Sequence, residues 1–122
     1  MASQVFPMQG NPRQIFVPYN GKIADITHAD TNLHTLTLAN AAGTGVIAGE
    51  TRTIVAVLLQ SRRASGTGIF NSAPNEGVYI HQWSNYEEGI FLIAKNSQQL
   101  QYSLSVAGDD WDLFCFGYVV EA

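Results

Sequence analysis

Three short segments of this chain are apolar at every position, and a strand that is apolar on both faces needs two covers. Residues 54–59 read Ile-Val-Ala-Val-Leu-Leu, residues 90–94 read Ile-Phe-Leu-Ile-Ala, and residues 113–120 read Leu-Phe-Cys-Phe-Gly-Tyr-Val-Val. Each has strand length and is rich in β-branched and aromatic residues, which suit a pleated surface. By contrast, Leu100, Tyr102, Leu104 and Val106 alternate with Gln101, Ser103 and Ser105, the pattern of a strand with one face inward and one in water. Two packed sheets share one interior, so three doubly apolar strands require a further cover: a loop, an arm or another subunit.

The rest of the chain sets those strands in an all-β frame. No window sustains a 3.6-residue period, and turn residues recur every eight to twelve positions, the spacing of a sandwich or barrel. Strands are expected over 22–27, 33–39, 45–48, 52–60, 67–71, 77–83, 89–95, 99–106 and 111–121, as an antiparallel β-sandwich of jelly-roll type with about 8–10 short strands. Asn20-Gly21 signals a tight hairpin. Pro7, Pro12 and Pro18 forbid helix in residues 1–20. These residues read either as an extended arm ahead of a domain at 21–122, with Pro7, Pro12, Arg13 and Pro18 placed to touch a neighbour, or as a strand of the same domain, since Gln14 to Val17 have good strand composition.

Composition narrows the partners. The chain has 122 residues, of which 46% are hydrophobic and 13% charged, well below the usual quarter charged. A surface so neutral suits a protein packed against its own copies. With six Lys and Arg against ten acidic residues, phosphate neutralisation is poorly served and no nucleic-acid partner is expected. No apolar run approaches the roughly 18 residues of a spanning helix, and the first residues lack the basic and apolar regions of a secretion signal, so no membrane partner is expected and assembly in a cytoplasm is.

Little catalytic chemistry is legible. His28, Asp30 and His34 are close enough in sequence to be metal ligands, but Ala29 to Asn32 reads as a turn that breaks their alignment, and a half-buried histidine beside Leu36 and Leu38 is the better reading of His34. Asp109, Asp110 and Asp112 lack the calcium-loop spacing, and Gly108-Asp109-Asp110 reads as a turn. Cys115 sits mid-strand between two Phe residues, with no neighbour to form a thiolate. The Gly-Thr-Gly at 66–68 precedes a strand instead of opening a helix, so it carries no phosphate-loop dipole. No enzyme, no metal and no cofactor are expected. Trp83, Tyr86 and Trp111 are candidate sugar-stacking rings or, more readily, interface anchors.

Residues 66–70 (Gly-Thr-Gly-Ile-Phe), 107–113 (Ala-Gly-Asp-Asp-Trp-Asp-Leu) and the terminal Tyr118-Val119-Val120 resemble the small jelly-roll structural proteins of tailed bacteriophages, the capsid decoration and fibre-head proteins. The resemblance covers about the last sixty residues. It implies a homotrimeric, non-enzymatic virion protein that binds another capsid protein and cements the lattice, its N-terminal arm serving as the lattice contact. A carbohydrate-binding fibre-tip or lectin-like module is the alternative. Val55, Val57, Leu59, Phe114, Phe116 and Tyr118 are the residues expected to form the second buried face.

Overall fold

The computed structural model describes residues 13–74 and 81–121, and within them the chain is all-β. Eight strands follow in order: β1 (Gln14–Thr27), β2 (His34–Thr37), β3 (Thr53–Ser65), β4 (Phe70–Pro74), β5 (His81–Trp83), β6 (Glu87–Leu92), β7 (Gln99–Leu104) and β8 (Asp110–Glu121). They form two four-stranded antiparallel sheets, β1-β8-β3-β6 and β2-β7-β4-β5. Strand pairs nest from the outside in: β1 with β8, β2 with β7, β3 with β6 and β4 with β5.

The core lies between the sheets. Ile54, Val57, Leu59, Leu113, Cys115 and Val120 from one sheet meet Phe70, Trp83, Leu100, Tyr102 and Leu104 from the other, and all are buried. Aromatic contacts run through the centre. Phe70 has Trp83, Tyr102 and Trp111 at ring-centroid distances of 6.2, 5.7 and 5.8 Å. Trp83 also stacks on Phe91 at 5.4 Å and donates its indole N–H to the Ser72 hydroxyl at 2.6 Å. That bond satisfies the indole in the core, whereas the indole N–H of buried Trp111 has no such partner among the described residues.

Several sequence expectations change in the folded chain. Asn20-Gly21 closes no hairpin: β1 runs through it, paired with β8, and takes up one extra residue between Pro18 and Gly21, so that Tyr19 and Asn20 oppose Phe116 while Gly21 stays paired with Cys115. A bulge accommodates an Asn-Gly as readily as a turn does when the partner strand continues on both sides. Residues 14–20 therefore lie in β1, with Pro18 opposite Gly117 on an edge strand where a missing N–H is tolerated. Arg13 is exposed just before the strand. Pro7 and Pro12 lie outside the described residues, as do 77–80 of the strand expected over 77–83. The expected strand at 45–48 is a turn segment, tied back by Val46 N–H to the Thr37 carbonyl at 2.9 Å and Ile47 N–H to the Leu38 carbonyl at 3.0 Å.

Candidate functional site

All three doubly apolar segments fall in one sheet, on the adjacent strands β8, β3 and β6. Their inward side chains enter the core; their outward ones share one surface. The register defines that surface row by row. Phe16, Val119, Ala56 and Leu92 lie across the four strands in one row, and Pro18, Gly117, Leu58 and Ile90 in the next. Phe16 is 53% exposed, Ile90 69% and Leu92 73%. Phe116 joins Leu58 and Ile90 along a shallow groove that Glu88 and Gly89 complete.

Toward the other end of the strands the same face becomes polar. Lys22, Phe114, Gln60 and Glu88 form the third row, and Asp25, Asp112 and Arg62 the fourth. These side chains knit together: Arg62 donates to Gln60 at 2.6 Å, Gln60 donates to Glu88 at 3.3 Å, and the Arg62 guanidinium lies 3.9 Å over the Phe114 ring. Lys22 sits 3.6 Å from Asp25 and 3.5 Å from Asp112. The apolar rows thus lie between this charged stretch and a further polar row, Gln14, Glu121 and Thr53, where Lys95 pairs with Glu121.

The residues expected to form the second buried face are split by this geometry. Phe114 and Phe116 are on the outer face. Val57, Leu59 and Tyr118 are not; they are buried in the core. Val55 is half-buried at a register shift between Ile54 and Ala56, its carbonyl accepting from Ile93 N–H at 3.0 Å. Strict alternation fails because a second shift, between Leu58 and Leu59, opposes Gly117 and Cys115 and leaves Phe116 extra on β8. Each such insertion reverses the side-chain phase downstream. Ala56, Leu58, Ile90, Leu92, Val119 and Phe16 hold the outer positions instead.

The candidate sugar platform also changes. Trp83 and Trp111 are 1% and 0% exposed and belong to the core, so neither ring offers a face to a ligand. Tyr86 alone of the three is exposed, at a loop position with φ of 61° and 6.0 Å from the Arg62 guanidinium.

The histidine cluster is real but does not converge on a point. His28 and His34 stack with centroids 3.5 Å apart and planes within 7°. Their Nε2 atoms point to different partners, His28 to the Tyr102 hydroxyl at 2.9 Å and His34 to Asp30 Oδ1 at 2.8 Å. The His34 hydrogen bond holds the Asp30 carboxyl below its ordinary range, helped by the Asn32 amide. Among the described residues the donor atoms that do approach one another belong to Asp25, Asp110 and Asp112. Burial, together with the two neighbouring carboxylates, pushes the Asp110 carboxyl up. Cys115 is fully buried, and that burial pushes its thiol up, away from nucleophilic use.

Two carboxylates are buried: Glu50, which no motif marks, and Asp109, which the sequence marks only as a turn residue. Glu50 accepts from Arg52 Nε and the Arg52 amide through Oε2 at 2.9 and 2.8 Å, and from Arg52 Nη2 and the Tyr118 hydroxyl through Oε1 at 2.8 and 2.7 Å. Asp109 accepts from the Thr67 and Gly68 amides at 3.3 and 2.6 Å. The Gly-Thr-Gly loop therefore does cradle an anion, but the anion is a carboxylate of its own chain. No spacing rule announces either pair, since 68 and 41 residues separate Tyr118 from Glu50 and Asp109 from Gly68.

Comparison of this chain with family models, with curated proteins and with solved structures finds no match.

Proposed function

We propose that this chain is a non-enzymatic structural protein that works by self-association, the outer face of the β1-β8-β3-β6 sheet being covered by other copies. The observation that carries this reading is the pair of apolar rows. Four strands about 4.8 Å apart and two rows about 7 Å tall make an apolar band of roughly 250 Å². At about 25 cal/mol per Å², covering it contributes roughly 6 kcal/mol per copy, against which the loss of freedom on association sets about 4–15 kcal/mol. What supports the reading is continuity: Phe16, Ile90 and Leu92, each more than half exposed, share one face of one sheet.

The nested pairing of β1 with β8 through β4 with β5 supports a jelly roll, the eight-stranded double-sheet arrangement of many viral capsid proteins. With the resemblance to phage decoration proteins, this favours a virion part that is made in a host cytoplasm and cements a capsid surface. A homotrimer is the number that resemblance implies; the sheet pattern needs copies to cover the face and fixes no number. The work is mechanical: each copy adds buried area across a junction, so that more contacts must break for the shell to open.

Sedimentation velocity on the intact protein and on Leu92→Lys tests the self-association. The wild type is expected to sediment as an oligomer and the variant, with unchanged far-ultraviolet circular dichroism, as a monomer. A wild type that stays monomeric at high concentration overturns the reading.

A further inference from the structure

The outer face is self-complementary about an axis parallel to its strands, which gives a second copy a defined seat. We propose that the face pairs with the same face of a second copy about a two-fold axis parallel to the strands; this rests on the self-association reading above and supplies its partner and geometry. Such an axis reverses the strand order while keeping the rows in register. It sets β1 over the partner's β6, and β8 over the partner's β3.

Every row then meets a suitable row. In the first, Phe16 meets Leu92 of the other copy and Val119 meets Ala56. In the second, Pro18 meets Ile90, and Leu58 meets the Phe16 ring where it lies across Gly117. On the two central strands the larger Val119 faces the smaller Ala56, which suits interdigitation. In the third, Lys22 meets Glu88 at both edges, and in the fourth Asp112 meets Arg62. Twist turns facing sheets by about 30°, which displaces their edges by roughly 4 Å, within the reach of Lys and Glu side chains.

Area points the same way. A stable pair buries about 800 Å² per partner, some three times the apolar band, so the charged rows belong inside the contact as its polar rim. A contact in which residue i meets j and j meets i is isologous and closes at two copies.

Charge exchange between copies tests this. Lys22 and Glu88 lie on opposite edges of one sheet, three strand spacings or roughly 14 Å apart, so they do not pair within a chain. Lys22→Glu alone and Glu88→Lys alone each place two like-charge pairs in the symmetric dimer and are expected to weaken it about ten-fold. Mixing the two variants restores both pairs, and a 1:1 heterodimer of wild-type strength is expected by sedimentation equilibrium. Weakened variants that fail to rescue one another overturn the strand-parallel axis. A wild-type mass of three times 13.3 kDa overturns the two-fold while leaving self-association intact, and a monomer overturns both.

Discussion

The hydroxyl of Tyr118, at the inner face of β8, donates to Oε1 of Glu50 at 2.7 Å and so fastens the long β2–β3 connection to the sheet that carries the outer face. Glu50 is buried, and its charge survives burial because Arg52 holds it with a two-pronged guanidinium contact. That hydrogen bonding, with Tyr118, brings the Glu50 carboxyl down to about 2 from 4.5. Burial, with the same carboxylate as acceptor, pushes the Tyr118 phenol up to about 12.

Stability should therefore fall at both ends of the pH range. Glu50 binds its proton more weakly folded than unfolded, so its contribution is full above about pH 4.5 and lost as pH falls toward 2. It amounts to at most about 3 kcal/mol, lowered by the solvent exposure of Arg52. Tyr118 keeps its proton more tightly folded, so its contribution is full below about pH 10 and lost toward 12. Urea unfolding at pH 7 and pH 3 should show Glu50→Gln destabilised at pH 7 and by roughly two fifths as much at pH 3, midway through the loss. Equal losses at both values would contradict the linkage.

Asp109 should be a stability residue of the loop end. Asp109→Ala leaves the Gly68 amide buried without a partner and the Thr67 amide with less, a cost of about 2–4 kcal/mol. Gly66→Ala should be at least as harmful, because φ is +109° and the new methyl would fall on the Asp109 carboxylate. Chemical denaturation reads both; a loss under about 0.5 kcal/mol in either would show that the loop repacks.

The sandwich and the doubly apolar segments are legible in the sequence because composition and period survive any register. The membership of the second face is not. Two register shifts, at Ile54/Ala56 and Leu58/Leu59, each insert one residue, and alternation read from Val55 therefore lands on Val57 and Leu59 in the core. On β8 the count holds through Phe114 and Phe116 and fails at Tyr118. Glu50 and Asp109 were hidden for another reason: their partners are distant in sequence and, for Asp109, are backbone amides that no side-chain motif encodes.

Asp110 should destabilise the fold at neutral pH. Its neighbours Asp25 and Asp112, with burial, favour its protonated form, and Lys22 offsets this only in part. A raised carboxyl contributes stability at low pH that is lost as pH rises through its folded value. Asp110→Asn should raise Tm at pH 7 by about 2 °C and leave Tm at pH 3 almost unchanged; a lower Tm at pH 7 would mean that the carboxylate makes a contact worth more than the repulsion.

Gly117 should matter more to assembly than to folding. A methyl there would fall on the ring of Phe16, which lies across it, with the Val17 carbonyl 3.3 Å away. Phe16 is exposed enough to swing aside, so Gly117→Ala should cost under about 1 kcal/mol of stability. The displaced ring would stand in the contact plane, and self-association should weaken at least ten-fold by sedimentation.

Whether the outer face is covered is tested most directly by methyl NMR of the intact protein with a soluble paramagnetic probe. Ile90 and Leu92 are exposed on the single chain to the same degree as Leu33, which lies ahead of β2 in the other sheet. Coverage by a second copy predicts that the methyls of Ile90 and Leu92 stay sharp, like those of buried Ile54, while Leu33 is bleached. If Ile90 and Leu92 bleach together with Leu33, the face is open to water and the self-association reading is wrong.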